Sequence, residues 1–239
     1  MLSIIVPTLN EEKHLAKLLK SIEKQDFKNY EIIIADNGSK DKTLEVAEKY
    51  KCRIVKGGSP AQGRNSGAKI AKGERLLFLD ADVILPDKIF GKILKEFKKR
   101  KLKIASFFLL PSEKEKSSQF FFTLFYNFPI LLLEKIIPHA AMGILIEKKL
   151  FKKLKGFDEN IKLAEDHDLA RRAKKLGKYG IIKEAKLLVS SRRFKKEGWI
   201  GTYLKYLLCE GHMIFIGPVK SDIFKYKFNH YLKKSEKKL

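Results

Sequence analysis

The sequence predicts an α/β protein built on a mixed, mostly parallel sheet flanked by helices. Short apolar runs alternate with amphipathic helical stretches along the first 110 residues of the 239-residue chain, as they do in repeated βαβ units. Several of these runs end in polar or acidic residues, which is typical of the sheet edge where α/β proteins bind ligands. A hydrophobic content of 44% is enough for a substantial core and argues against disorder.

The first half predicts four strands, each followed by a helix. Leucine and isoleucine at helical spacing between Glu11 and Gln25 predict the first helix, and Asn10 is its predicted N-cap. The strands are predicted at residues 2–6, 31–35, 53–56 and 75–79, and the helices at residues 11–25, 41–50, 61–71 and 87–100.

The second half contains two long apolar stretches, residues 120–137 and 199–216. Pro129, Glu134 and Glu210 interrupt them, so neither stretch is predicted to cross a membrane. For residues 120–137, a core helix and a helix lying in the membrane interface are both open. Residues 199–216 predict an amphipathic helix. The remaining elements are predicted as strands at 104–110, 142–146 and 181–189 and as helices at 147–154 and 165–176.

The chain is strongly basic, with 51 Lys and Arg against 28 Asp and Glu and a net charge of +23. This charge predicts anionic partners, and three classes qualify: nucleic acids, phosphorylated small molecules and acidic membranes. Lysine supplies most of the excess, whereas base reading favours arginine, so no specific nucleic acid is expected. Cys52 and Cys209 lie far apart and predict neither disulfides nor a zinc site, and no signal peptide is recognised, which together favour a cytoplasmic protein.

Two carboxylates, Asp80 and Asp82, directly follow the apolar run at residues 75–79. A buried carboxylate is costly unless it has a partner, so a strand gains nothing structural from two of them at its end. Carboxylate oxygens are suitable ligands for Mg²⁺ or Mn²⁺. The motif therefore predicts a divalent metal site, with a simple Asp-rich turn as the alternative.

Other polar segments are expected at the same edge of the sheet, because the carboxyl ends of parallel strands lie side by side. They would supply side chains for a nucleobase and a guanidinium for phosphate groups. Neither a dinucleotide-binding glycine motif nor a P-loop is present. The segments are Pro-Thr-Leu-Asn-Glu-Glu at 7–12, Asp-Asn-Gly-Ser-Lys-Asp-Lys-Thr at 36–43 and Gly-Arg-Asn-Ser-Gly at 63–67.

These segments are followed along the chain by the Asp-x-Asp motif and by the pair Glu165-Asp166. With this ordered set of motifs, the chain resembles the family 2 glycosyltransferases over residues 1–195. The resemblance implies the GT-A fold, a Rossmann-like α/β architecture, and transfer from a nucleotide-diphosphate sugar with Mg²⁺ or Mn²⁺. It also implies a division of residues 1–195 into a nucleotide-binding half at 1–110 and an acceptor half at 111–195. The residue pattern beyond them predicts a C-terminal amphipathic helix with a basic tail at 196–239.

The resemblance implies a role for each matching position. Asp166 would be the general base, Asp80 and Asp82 would hold the sugar nucleotide and the metal, and Asp82 would be the direct ligand. Asp36 would lie beside the base or the ribose, and Arg64 would contact the donor or groups at the sheet edge. The nucleotide pocket would be lined by Pro7, Thr8, Asn10 and Glu11.

Some positions leave alternatives open. Many members of the family have a second Asp at the position of Asn37. Because an amide both donates and accepts hydrogen bonds, the choice between a uracil and a guanine nucleotide is open. Arg192 and Arg193 would clamp the diphosphate or form a solvated pair, and Glu165 with Asp166 would otherwise only cap a helix. His139, His167 and His212 are candidates for a third metal ligand, with a structural role as the alternative for each.

The sequence thus predicts a metal-dependent inverting glycosyltransferase with peripheral contact to the cytoplasmic face of a membrane and a lipid-linked acceptor. A soluble transferase for a small or saccharide acceptor is the alternative among enzymes. A basic nucleic-acid or lipid-surface binding protein without catalysis is the alternative from charge alone. A nucleotidyltransferase is disfavoured, because residues 7–12 lack the glycine-rich, Arg- and Lys-containing loop expected after its first strand.

Overall fold

The computed structural model describes residues 1–113 and 115–224, and of residues 117, 193, 195 and 197 only the backbone. One sheet of eight strands forms the centre of the described chain. The strands are β1 (Leu2–Thr8), β2 (Tyr30–Asp36), β3 (Arg53–Lys56), β4 (Arg75–Leu79), β5 (Val83–Ile84), β6 (Ile104–Pro111), β7 (Gly143–Glu147) and β8 (Tyr179–Val189).

Helices connect most of the strands, and a π-helical segment at Phe122–Asn127 joins α5 to α6. The helices are α1 (Glu12–Glu23), α2 (Thr43–Lys49), α3 (Pro60–Ile70), α4 (Phe90–Lys99), α5 (Lys116–Phe121), α6 (Phe128–Leu132), α7 (Lys148–Lys153), α8 (Glu165–Lys174), α9 (Arg192–Glu197) and α10 (Trp199–Phe215).

The strand order is β3-β2-β1-β4-β7-β6-β8-β5. The first four strands in this order run parallel to one another, as the alternating pattern predicts. Strand β7 is antiparallel to both of its neighbours, β8 is parallel to β6, and β5 is antiparallel to β8. The predicted mixed, mostly parallel sheet is confirmed.

Both faces of the sheet are buried, because neighbouring side chains of a strand point to opposite faces. On one face Ile4 packs in a cluster with the leucines of α1 and the phenylalanines of α4. On the other face Ile5 and Phe78 pack in a second cluster with α8 and the alanines of α3. The helices therefore cover both sides and leave the strand ends open to a ligand.

Most predicted elements are present, with ends shifted by a few residues. The prediction of Asn10 as an N-cap is wrong: Glu11 precedes α1 without a side-chain cap, and Asn10 adopts φ 55°. Residues 120–137 do not form one helix, because the π-helical segment divides them. Within the described residues, no helix is both long and apolar enough to cross a bilayer. The predicted basic tail lies mostly outside the described residues, and the division into halves stays a prediction.

Candidate active site at the carboxyl ends of the strands

The ends of β1 and β2 are joined through Asp36. Thr8 and Asp36 are partners across the two strands, and the Thr8 hydroxyl donates a hydrogen bond to Asp36 at 3.0 Å. The backbone N–H groups of Gly38 and Ser39 donate to the second carboxylate oxygen at 2.9 and 2.8 Å. These contacts fix the turn that carries Asn37. Asp36 itself does not line the cavity beside it, so its predicted contact with the nucleotide stays a prediction, and its observed contacts hold the loop.

The loops after β1 and β2 are bonded to each other. The side-chain oxygen of Asn10 accepts from the backbone N–H of Lys40 at 2.7 Å, and the backbone N–H of Asn10 donates to the Ser39 hydroxyl at 2.9 Å. The backbone N–H of Glu11 donates to the Thr43 hydroxyl at 2.8 Å. The two polar segments that the sequence predicts at one edge of the sheet therefore meet there.

Arg64 of α3 connects the end of β4 to the start of α8. Its buried guanidinium donates to Asp80 at 2.7 Å and bonds to Glu165, while it lies 5.4 Å from the centre of the Phe157 ring. Burial disfavours the charge, but the carboxylates of Asp80, Glu165 and Asp166 outweigh it and raise the pKa of Arg64. Arg64 is therefore a fixed cation among acidic side chains, and its predicted contact with a donor stays a prediction.

Asp82 and Arg192 form an ion pair at the Asp-x-Asp turn. One guanidinium nitrogen of Arg192 lies 3.3 Å from an Asp82 oxygen and 2.9 Å from an oxygen of Glu11. Burial raises the pKa of Asp82 to about 6, and neighbouring Asp80 adds to the shift while Arg192 opposes it. Arg192 thus lies beside the Asp-x-Asp turn, where a diphosphate clamp is predicted. The Arg193 side chain lies outside the described residues.

Asp166 lies in the first turn of α8. The residue before the helix is Ala164, and no side chain caps the helix, so capping alone does not account for the acidic pair. One Asp166 oxygen accepts from the backbone N–H of His167 at 2.9 Å. Burial raises the pKa of Asp166 to about 6; His167 opposes this shift, and Glu165 adds to it. Such a carboxyl is ionised at neutral pH and is poised to accept a proton.

One cavity of about 1830 Å³ joins these groups. Of the residues predicted for the donor, the Asp-x-Asp motif and the base that have described side chains, Asp36 alone does not line it. The cavity also has apolar lining, formed in part by aromatic side chains such as Phe125, Trp199 and Tyr203. The predicted residues that line the cavity are Pro7, Thr8, Asn10, Glu11, Asn37, Arg64, Asp80, Asp82, Glu165, Asp166 and Arg192.

The candidate histidines lie elsewhere on the cavity wall or outside it. His139 and His167 lie against each other, with ring centres 3.9 Å apart, and Glu210 lies 3.0 Å from His167. Glu210 is a site residue that sequence reasoning missed, although a charged residue within the apolar stretch 199–216 signals a buried partner. His212 has a structural contact, since its Nδ1 lies 2.9 Å from the backbone oxygen of Gly217.

No third protein ligand joins the Asp-x-Asp pair within the described residues. Among the described residues, three side chains that could act as metal ligands have their ligand atoms within 4.8 Å of one another: His139, His167 and Glu210. This group includes neither Asp80 nor Asp82. One or two carboxylates completed by substrate phosphates and water are the usual protein site for Mg²⁺. Asp80 and Asp82 on the cavity wall fit such an ion.

The mostly parallel sheet and the acidic residues at its strand ends place the chain among the α/β proteins that bind ligands at the carboxyl edge of the sheet. Residues 3–153 match the family description Glycosyl transferase family 2, and the chain therefore belongs to the family 2 glycosyltransferases. The predicted family is confirmed.

Two relatives illustrate the match. The chain is 40% identical over 90 residues to the poly(ribitol-phosphate) beta-N-acetylglucosaminyltransferase TarS of Staphylococcus aureus. The aligned residues make up 34% of this chain and 16% of TarS. It is 31% identical over 201 residues to the minor teichoic acid biosynthesis protein GgaB of Bacillus subtilis, which covers 77% of this chain and 22% of GgaB. The chain thus spans less than a quarter of the length of either relative.

Solved structures share the fold. Residues 1–349 of S. aureus TarS in complex with UDP-GlcNAc align with a TM-score of 0.64 and 25% identity, over 79% of this chain and 58% of that one. The mannosyltransferase PcManGT of Pyrobaculum calidifontis, in complex with GDP-Man and Mn²⁺, aligns with a TM-score of 0.68 and 18% identity, over 87% of this chain and 64% of that one. The GT-A type of sheet is confirmed.

Proposed function

We propose that this chain is a metal-dependent, inverting glycosyltransferase. It moves a sugar from a nucleotide-diphosphate sugar to a lipid-linked acceptor at the cytoplasmic face of a membrane. The observation that carries the proposal is the single cavity that joins the Asp-x-Asp turn and Asp166 to an apolar wall. A polar sugar nucleotide and an acceptor with an apolar lipid chain both have room in this cavity.

The donor would bind at the polar end of the cavity. Asn10 and Asn37 offer amide groups to a nucleobase, and Arg192 offers a guanidinium to a diphosphate. The complexes of the neighbouring structures with UDP-GlcNAc and GDP-Man support this donor class and leave the choice of base open. Asn37, with both a donor and an acceptor, is compatible with either base.

Mg²⁺ or Mn²⁺ would be held by Asp80 and Asp82. When bound, it stabilises the negative charge that develops on the departing diphosphate. The buried, raised-pKa carboxyl of Asp82 fits this role, because a cation favours its ionised form. The Mn²⁺ in the PcManGT complex supports the same class of ion.

Asp166 would accept the proton of the attacking acceptor hydroxyl. Its neighbours explain how it is held: Glu165 is fixed by Arg64, and Arg64 is fixed in turn by Asp80. The end of β4 and the start of α8 are therefore tied together. Direct attack from the face opposite the leaving group inverts the anomeric carbon. An acceptor phosphate, which is already ionised, would need Asp166 less.

The acceptor would approach along the apolar side. Segment 116–132 and α10 lie next to each other, with ring contacts of 5.0 Å between Phe121 and Trp199 and 4.9 Å between Phe125 and Tyr203. Their outer side chains form an exposed surface, which we call the apolar surface. Exposed apolar patches of this kind mark membrane or partner contacts. The apolar surface comprises Phe120, Leu124, Phe128, Leu132, Ile200, Leu204, Leu208 and Phe215.

The net charge of the chain also favours a location at the membrane surface. The net charge of +23 favours a membrane with anionic lipids, and apolar side chains combined with basic residues are typical of helices that lie in the interface. The name of GgaB, a teichoic acid biosynthesis protein, supports an acceptor of the cell envelope. A soluble saccharide acceptor is the competing choice.

A transfer assay tests the enzymatic proposal. The purified chain is incubated with a panel of UDP- and GDP-sugars and polyprenyl-phosphate-linked or saccharide acceptors, with Mn²⁺ or with EDTA. We expect transfer or slow donor hydrolysis with one donor, dependence on Mn²⁺, and a product of inverted configuration by NMR. Asp82→Asn should abolish turnover, while Asp87→Asn, an exposed aspartate near it in sequence, should not. Metal-independent turnover, or equal activity of both variants, would overturn the proposal.

A further inference from the structure

Three potential metal ligands lie on the cavity wall apart from the residues assigned to the donor and the base. They are His139, which precedes β7, His167 of α8 and Glu210 of α10. Their ligand atoms all lie within 4.8 Å of one another. Three separate elements thus bring together two imidazoles and one carboxylate. This is the ligand set of the His₂Glu zinc sites, which keep their fourth position open.

Neighbouring groups hold two of these ligands, His167 and Glu210, in positions that suit a metal site. The Nδ1 atom of His167 lies 3.0 Å from Glu210, and its Nε2 atom lies 3.9 Å from Asp166. A metal-binding histidine usually presents its other ring nitrogen to a carboxylate, which fixes the tautomer. Asp166 lies on the Nε2 side at ion-pair distance only, and Nδ1 is the ring nitrogen that faces Glu210 and would bind a metal. Arg171 bonds to Oε1 of Glu210 and leaves Oε2 facing His167.

We propose that His139, His167 and Glu210 bind a transition-metal ion, with Zn²⁺ as the preferred ion, at a site separate from Asp80 and Asp82. Imidazole ligands favour zinc and its neighbours in the periodic table, whereas carboxylates alone favour Mg²⁺ and Mn²⁺. All three residues line the cavity, so an ion has a path to them. The proposal goes beyond the proposed transfer reaction and does not depend on it.

A bound ion would join α10 to α8 directly beside Asp166. Glu210 already connects the two helices through His167 and Arg171. The ion would strengthen this connection and fix the helix that carries half of the apolar surface. A ligand that binds only the folded chain raises its melting temperature, so Zn²⁺ is expected to stabilise the protein.

Cobalt spectroscopy tests the site without any need for activity. The metal-stripped chain is titrated with Co²⁺, the d–d absorption is recorded, and Zn²⁺ is added in competition. We expect one equivalent of Co²⁺ in a four- or five-coordinate spectrum without a thiolate charge-transfer band, and displacement by Zn²⁺. His167→Gln and Glu210→Gln should each weaken binding by at least about tenfold. His212→Gln on α10 is the matched control and should bind like the parent.

A second comparison separates the two metal sites. The Asp80→Asn/Asp82→Asn double variant should keep Co²⁺ binding even though it loses the proposed Mn²⁺ site. Equal Co²⁺ affinity of Glu210→Gln, His167→Gln and the parent would overturn the proposal, as would a thiolate band from Cys209 or no binding at all. Melting curves of the metal-free variants verify folding, and His139→Gln replaces any variant that fails to fold.

Discussion

The guanidinium of Arg192 lies 3.3 Å from the carboxylate of Asp82, so the chain places its own cation beside the Asp-x-Asp turn. This contact does not compensate for the burial of Asp82, whose pKa is raised to about 6. Because the folded state holds this proton more tightly than the unfolded state, ionisation of Asp82 costs stability. The loss develops as the pH rises from about 4 to about 6 and is complete above that range.

The first prediction concerns stability without metal. At pH 8 in EDTA, Asp82→Asn should unfold at higher urea concentration than the parent, by about 1 to 3 kcal/mol, because the amide carries no buried charge. At pH 4, where Asp82 is protonated in the folded state, the difference should shrink. A parent that is more stable than the variant at pH 8 would contradict the proposed environment of Asp82.

The second prediction concerns Asp166 as the base. Its carboxyl must be ionised to accept a proton, and its pKa is raised to about 6. Transfer to a hydroxyl acceptor should therefore fall as the pH drops below about 6, and Asp166→Asn should lose at least about a hundredfold in kcat. Donor affinity, measured by calorimetry, should stay within a few fold. Unchanged kcat in Asp166→Asn would remove the residue from this role.

The third prediction concerns Arg64 as the connection between β4 and α8. Arg64→Met leaves Asp80 and Glu165 without their buried cation and should cost about 3 to 5 kcal/mol of unfolding free energy. Arg53→Met is the matched control: its partially exposed ion pair with Glu31 should contribute about 1 kcal/mol or less. Similar losses in the two variants by urea unfolding would refute the special position of Arg64.

Much of the site could be predicted from the sequence, because local signals mark strand ends. Four apolar residues followed by Asp80 predict both the end of β4 and its position at the ligand edge, and strands β3 and β4 have the predicted bounds. The topology of a parallel sheet then brings Asn10 and Ser39 together, a contact that the structure confirms.

Other features could not be predicted, because they depend on contacts between distant parts of the chain. Strand β5 has two residues, too few for a pattern, and it exists because it pairs with β8. The contact of Arg192 with Glu11 spans 181 positions, and nothing near either residue specifies it. The meeting of His139 with Glu210 likewise depends on how α10 packs. The resemblance predicts Asp36 beside the nucleotide, which stays a prediction, and no sequence pattern indicates that its oxygens accept hydrogen bonds from its own turn.

The fourth prediction concerns the apolar surface. The chain should sediment with vesicles that contain anionic lipids and much less with zwitterionic vesicles, because both charge and apolar contact contribute. Phe128→Glu combined with Ile200→Glu should abolish sedimentation. Leu176→Glu, at an exposed leucine outside the apolar surface, is the control and should behave like the parent. A parent that stays in the supernatant at low salt would favour the soluble saccharide acceptor.

The most direct test of the donor site is anomalous diffraction from crystals soaked with Mn²⁺ and a UDP- or GDP-sugar. We predict a manganese peak at the carboxylates of Asp80 and Asp82, with the diphosphate bound to the same ion and the sugar facing Asp166. A donor bound away from Asp82, or manganese found at other residues of the chain and none at this pair, would contradict the proposed mechanism.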